Sequence, residues 1–122
     1  PRPALGGIPA ALKETLVDVP SLPESIRAVR AAAASSTLLP YTIEVECTLS
    51  DLNLGLASSY LYLKDNELVL LNGFETFAGA LRSRSREISL RLTAAAGGLP
   101  PGDYHVTVVG ARNSLTWPLS VK

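Results

Sequence analysis

The chain is poor in the residues that carry most protein chemistry. It has one cysteine, Cys47, and one histidine, His105. A single thiol excludes an intrachain disulfide and a cysteine zinc cluster, and a single imidazole excludes a histidine-rich metal site. Net charge is missing too, because 11 Lys and Arg balance 11 Asp and Glu. No global field draws the protein onto nucleic acid or an anionic membrane, so neither is expected as a partner. No uninterrupted apolar run approaches the roughly 18 residues that span a bilayer, and no transmembrane segment is expected. The acids Asp51, Asp65, Glu67 and Asp103 are scattered without EF-hand spacing. The glycine pairs at 6–7 and 97–98 lack the Lys-Ser/Thr sequel of a phosphate loop. No cofactor, metal or enzymatic activity is therefore expected. The chain opens on Pro1 rather than methionine, which suggests a mature or trimmed product with no signal peptide left to name its compartment.

What is present suits one domain with a real core, 122 residues of which 47% are hydrophobic and only 18% charged. Zero net charge on so apolar a chain favours association, since little self-repulsion keeps copies apart. Residues 1–40 read as a separate N-terminal arm. Pro1, Pro3, Pro9, Pro20 and Pro23 crowd its first part and Pro40 closes it, interrupting regular structure repeatedly. Two short helices fit between them. In "IPAALKETLV", Pro9 suits a first turn, and Leu12 and Leu16 share a face. In "SLPESIRAVRAAAASS", Ser21 and Glu24 make a capping box and Pro23 is tolerated at the helix start. Leu22, Ile26, Val29 and Ala33 then form an apolar stripe, with Arg27 and Arg30 elsewhere.

From Tyr41 the period changes to two. "YTIEVECTLS" places Tyr41, Ile43, Val45, Cys47 and Leu49 on one face and polar residues on the other, as a half-buried antiparallel strand requires. "SSYLYL" and "ELVLL" follow around a turn at Lys64-Asp65-Asn66. Ile88, Leu90 and Leu92 alternate in "REISLRL", as do Tyr104, Val106 and Val108 in "DYHVTVV" and Leu115, Trp117, Leu119 and Val121 in "SLTWPLSV". With a weak strand around Phe74 to Phe77, about seven short strands fill residues 41–122. That spacing predicts an antiparallel β-sandwich. Pro118 lacks an N–H, which predicts that the last strand lies at an edge.

The stretch "GGLPPGDYHVTVVG" carries the most specific pattern. Leu99, Pro101, Gly102, Tyr104, Val106 and Val108, with a hairpin through Gly110-Ala111-Arg112-Asn113 and a strand ending at Val121, resemble the last two strands of bacterial immunoglobulin-like domains of the IPT/TIG kind. The resemblance covers residues 86–122. It implies a mainly β, immunoglobulin-like sandwich with a tyrosine corner, in which the Tyr104 hydroxyl bonds back to loop backbone. The antibody-type pattern is absent, since paired cysteines are lacking and Trp117 sits in the final strand rather than the third.

The chemistry-bearing residues read blandly. His105 points outward, away from Tyr104 and Val106, and its sequence neighbour Asp103 offers no adjacent base or nucleophile arrangement. Cys47 sits on the apolar face and reads as a small core hydrophobe. Arg82, Arg84 and Arg86 in "RSRSRE" project from one side of an extended segment, by default a solvated strand entry balanced by local acids, where they also suit phosphate, a carboxylate-rich partner or a neighbouring subunit. The expected partner-binding residues are therefore Leu12, Leu16, Leu22, Ile26, Val29, Arg82, Arg84 and Arg86. The function expected is a non-catalytic assembly subunit of a filament, virion or secretion-type particle, docking other protein subunits through its arm. Alternatives are a cell-surface adhesion or ligand-binding domain and an accessory domain of a larger enzyme. An extracellular or particle-associated location suits these readings.

Overall fold

Alternation organises most of the chain. The computed structural model describes residues 1–16, 20–52, 54–76 and 86–122. Its elements are β1 (Arg2–Leu5), α1 (Ala10–Lys13), β2 (Ser25–Ala31), β3 (Ala34–Ser35), β4 (Tyr41–Thr48), β5 (Leu54–Lys64), β6 (Glu67–Thr76), β7 (Glu87–Ala94), β8 (Gly102–Val108) and β9 (Asn113–Val121). The strands form two sheets. One has six strands in the order β1-β9-β8-β6-β5, with β3 also on β9, and the other is β2-β4-β7. The protein is mainly β, and the sheets face each other across one apolar core. Ile43, Val45, Cys47 and Leu49 from one sheet meet Leu68, Leu70, Tyr104, Val106 and Trp117 from the other. Leu90, expected in the core, is half-buried against it because β7 is an edge strand.

Turn chemistry sets the longest hairpin. Asp65 takes a φ of 54°, the left-handed region that Asp tolerates, and Asp65-Asn66 joins β5 to β6 in a two-residue loop. The strand expected around Phe74 is the end of β6, while Phe77 lies outside the described residues.

Three expectations are corrected. The helix from Ser21 is absent: residues 25–31 form strand β2, paired antiparallel with β4 in the body's own sheet. Ile26 and Val29, three apart, share a face in a helix and should not in a regular strand. A bulge between Ile26 and Ala28 inserts the extra residue that brings both inward. Burial of two large side chains thus overrides the local capping signal and the alanine run. The Ser21–Glu24 segment instead bridges the sheets. Ser21 O accepts from Phe74 N–H at 2.9 Å, and Glu24 N–H donates to Thr48 O at 2.8 Å.

The second correction concerns Pro118. Strand β9 is interior, flanked by β8 on one side and by β1 and β3 on the other. Strand β1 runs antiparallel to residues 113–116, and β3 runs parallel to residues 120–121. Ser120 N–H donates to Ala33 O on the β3 side, so Pro118, two residues earlier, aims its nitrogen the same way. It falls in the gap between the two short partners, where no N–H is needed. The third correction is to the all-antiparallel expectation. The β6–β8 and β3–β9 ladders are parallel.

Of the first expected helix, one turn remains, Ala10–Lys13, with Pro9 at the position before it. No helix among the described residues is long and apolar enough to cross a membrane.

Candidate functional site

Tyr104 occupies the corner position. Its ring is buried and its hydroxyl donates to Pro100 O, four residues upstream. A second polar link crosses between the sheets. Trp117 Nε1–H donates to Tyr41 Oη at 2.9 Å, and Tyr41 donates onward to Ala32 O at 2.6 Å. Burial pushes the Tyr41 phenol above its usual range, against the lowering effect of the bond from Trp117. These contacts hold the body and leave little to react.

The expected partner-binding residues scatter. Ile26 and Val29 are buried in the core of their own sandwich. Leu22 is half-buried in the bridging segment. Leu12 and Leu16 are half-buried, and Leu12 lies over the outer face of the six-stranded sheet. Arg82 and Arg84 lie outside the described residues. The half-exposed Arg86 guanidinium bonds within the chain: Nε donates to Leu49 O at 2.8 Å and Nη2 pairs with Glu24 Oε2 at 3.0 Å. Arg112 reaches the other Glu24 oxygen at 3.3 Å. Arg86 thus ties the end of β4 to the segment entering β2.

His105 has neighbours that its sequence context hides. Cross-strand register sets Glu67 beside it, with Nδ1 3.1 Å from Glu67 Oε2, and Thr116 Oγ1 lies 2.7 Å from Nε2. These distances match a nucleophile, base and orienting carboxylate. Thr116 Oγ1 also lies 2.8 Å from Val106 O, a second acceptor for its single hydroxyl proton. The backbone around Thr116 lies within the ladders to β1 and β8, which leaves this stretch no oxyanion donors. The three side chains form a polar strap across β6, β8 and β9.

Cys47 is fully buried, and burial pushes its thiol up to about 11, against a lowering influence from Arg27. It is a core residue. Among the described residues no group of three or more His, Cys, Asp or Glu side chains is placed to hold a metal.

Two features stand out on the six-stranded sheet. Beneath α1 runs a cleft of about 530 Å³, walled by Leu12, Tyr62, Leu63, Val69 and Thr107 with Glu67 and Lys64 at its rim. Beside it, β5 is the terminal strand of the sheet, and no other described strand pairs with it beyond β6. From Leu54 to Leu63 it carries no charge and no proline. Leu56 is 43% exposed, Tyr60 50%, Leu61 40% and Leu63 46%. Edge strands are normally guarded by charge, proline or brevity. Among the described residues, the stretch from Leu54 to Leu63 has one such guard, a bulge between Leu56 and Ser58. The alternation reading found the strand but not its place at an edge, because edge status depends on a long-range pairing order.

Comparison with protein-family models, with curated proteins and with solved structures gives no match.

Proposed function

We propose that the protein is a non-catalytic structural subunit, an immunoglobulin-like body that joins other protein subunits of a filament, virion or secretion-type particle at or outside the cell surface. The observation that carries this reading is the long edge strand β5, uncharged from Leu54 to Leu63 and showing half-exposed apolar side chains. A strand edge of this kind binds by adding a neighbouring strand, with backbone hydrogen bonds for affinity and side chains for specificity. The docking surface is accordingly β5 rather than residues 22–29, whose Ile26 and Val29 are spent on the chain's own core. The immunoglobulin-like assignment is supported by the Tyr104–Pro100 corner; the parallel β6–β8 ladder is a departure from the all-antiparallel form. The absence of catalysis is supported by the backbone around Thr116, which is paired into the ladders with β1 and β8 and offers no oxyanion donors.

The test is the size of the tagged chain in extracts of cells that make it, for wild type and Leu61→Lys. The reading predicts a species larger than the monomer that Leu61→Lys abolishes while the purified variant stays folded. A wild-type chain that migrates as a monomer would sink it.

A ligand-binding domain is the second reading, favoured by the cleft beneath α1, whose volume falls in the roughly 300–1,000 Å³ range of small-molecule sites. A small apolar compound that raises the melting temperature of wild type but not of Val69→Asp would favour it.

A further inference from the structure

We infer that β5 pairs with β5 of a second copy, antiparallel, about a two-fold axis through Leu61. The inference rests on the edge-docking reading above and names its partner. It starts from which backbone groups face outward. His105 N–H donates to Asn66 O and Val109 N–H to Leu70 O, so even-numbered residues along β6 aim their backbone at β8 and odd-numbered ones at β5. Val69 and Leu71 stand opposite Tyr62 and Tyr60. Tyr60 and Tyr62 therefore spend their N–H and C=O groups on β6, and Ser59, Leu61 and Leu63 turn theirs to the open side.

Those three outward residues are symmetric about Leu61. An antiparallel copy centred there sets Leu61 opposite Leu61 and Ser59 opposite Leu63 twice, each pair able to exchange two backbone hydrogen bonds. Tyr60 then faces Tyr62 twice on one side of the joined sheet, a favourable aromatic cross-strand pair. Charge agrees. Residues 58–63 are neutral, and each Lys64 falls beside the partner copy's Ser58, so the two ammonium groups lie at opposite ends of the pairing. The chain has no net charge to hold copies apart. Tyr60, Leu61 and Leu63 of each copy are half-exposed, and at on the order of 100 Å² each they form with the strand backbone an interface at the small end of the specific range. The dimer is thus reversible and concentration-dependent. It joins two six-stranded sheets into one, and, being isologous, it closes at two copies. A filament would need a second, different surface.

Single-cysteine cross-linking of the purified full chain tests the register. The native Cys47 is buried and does not interfere. Opposed residues in such a pair have Cα atoms about 5.5 Å apart, inside disulfide reach. Under mild oxidation Leu61→Cys should form a covalent dimer. Ser59→Cys and Leu63→Cys should cross-link when mixed and not when alone, and this pair carries the test if Leu61→Cys fails to fold. A purified chain that sediments as a monomer at every concentration and forms no cross-link overturns the inference, as does a dimer with another cross-link pattern. A monomeric purified chain together with a large species in cell extracts overturns self-pairing alone and leaves the subunit reading standing. If both are monomeric, both fall.

Discussion

Strands β2 and β5 are both edge strands, and they are built in opposite ways. Strand β2 turns Ile26 and Val29 into the core and shows Arg27 and Arg30 to solvent. Arg30 lies 3.2 Å from Glu44 and 3.5 Å from Glu46, an exposed cluster that holds charge along the edge. A bulge breaks its regularity, a feature that β5 shares. The Asn113 side chain occupies the backbone of Ile26, accepting from its N–H and donating to its C=O, each at 2.9 Å. Strand β5 shows Leu56, Tyr60, Leu61 and Leu63 instead, with no charge before Lys64. One edge shows charge to solvent and the other shows apolar side chains. Guarding is costly to omit, because an open edge is a template for aggregation, and the proposed docking rests on its omission from β5.

The comparison can be broken or sharpened by mutation. The largest effect should come from removing what both edges rest on. Tyr104→Ala should destabilise the fold by roughly 3–5 kcal/mol, as for large aromatics truncated in cores. Tyr104→Phe, which loses only the bond to Pro100, should cost about 1 kcal/mol. Denaturant melts followed by Trp117 fluorescence would measure both, and a loss below about 1 kcal/mol for the alanine variant would show that the corner bears no weight.

Asn113→Ala should act on β2 alone. It strands the N–H and C=O of Ile26 and should cost about 2 kcal/mol. Amide exchange should quicken along β2 and stay unchanged along β5. Uniform quickening would mean that Asn113 supports the hairpin from β8 to β9 rather than the guarded edge.

Alkaline pH should loosen the same side. Cys47 stands opposite Ile26 in the β2–β4 ladder, and its thiol is raised from 9.0 to about 11 by burial. The folded state keeps this proton after the unfolded chain has lost its own. Stability is therefore intact below about pH 9 and falls as pH climbs toward 11. Tyr41, also raised by burial, adds a decline of the same sign above its ordinary value of 10.0. Cys47→Ala should flatten the first part of that decline in melts across this range. An unchanged slope would assign it elsewhere.

The smallest effect on stability, and the most telling for the comparison, should come from stripping the guards of β2. Arg27→Leu with Arg30→Leu should leave the melting transition nearly unchanged, since exposed ion pairs contribute little. The variant should nonetheless associate more strongly than wild type in sedimentation. If it does not, charge is not what keeps β2 free.

Local signals and long-range pairing divide what the sequence discloses. The alternations of residues 41–49, 104–108 and 115–121 were legible because a half-buried strand writes its period into every second side chain. The tyrosine corner was legible because its parts lie within five residues. Residues 21–31 misled because capping and spacing signals are local while the bulge that brings Ile26 and Val29 to one face is set by pairing with β4. The His105 strap was hidden for the same reason, since Glu67 and Thr116 reach His105 only through β6 and β9. The candidate site was half legible. The apolar run "SSYLYL" was plain, and its exposure was not, because nothing local says which strand ends a sheet.

Backbone amide exchange over a range of protein concentrations tests the central claim most directly. The outward amides of Leu61 and Leu63 in β5 should gain protection as concentration rises, while those along β2 and β7 stay constant. Equal and concentration-independent exchange at all three edges would contradict it.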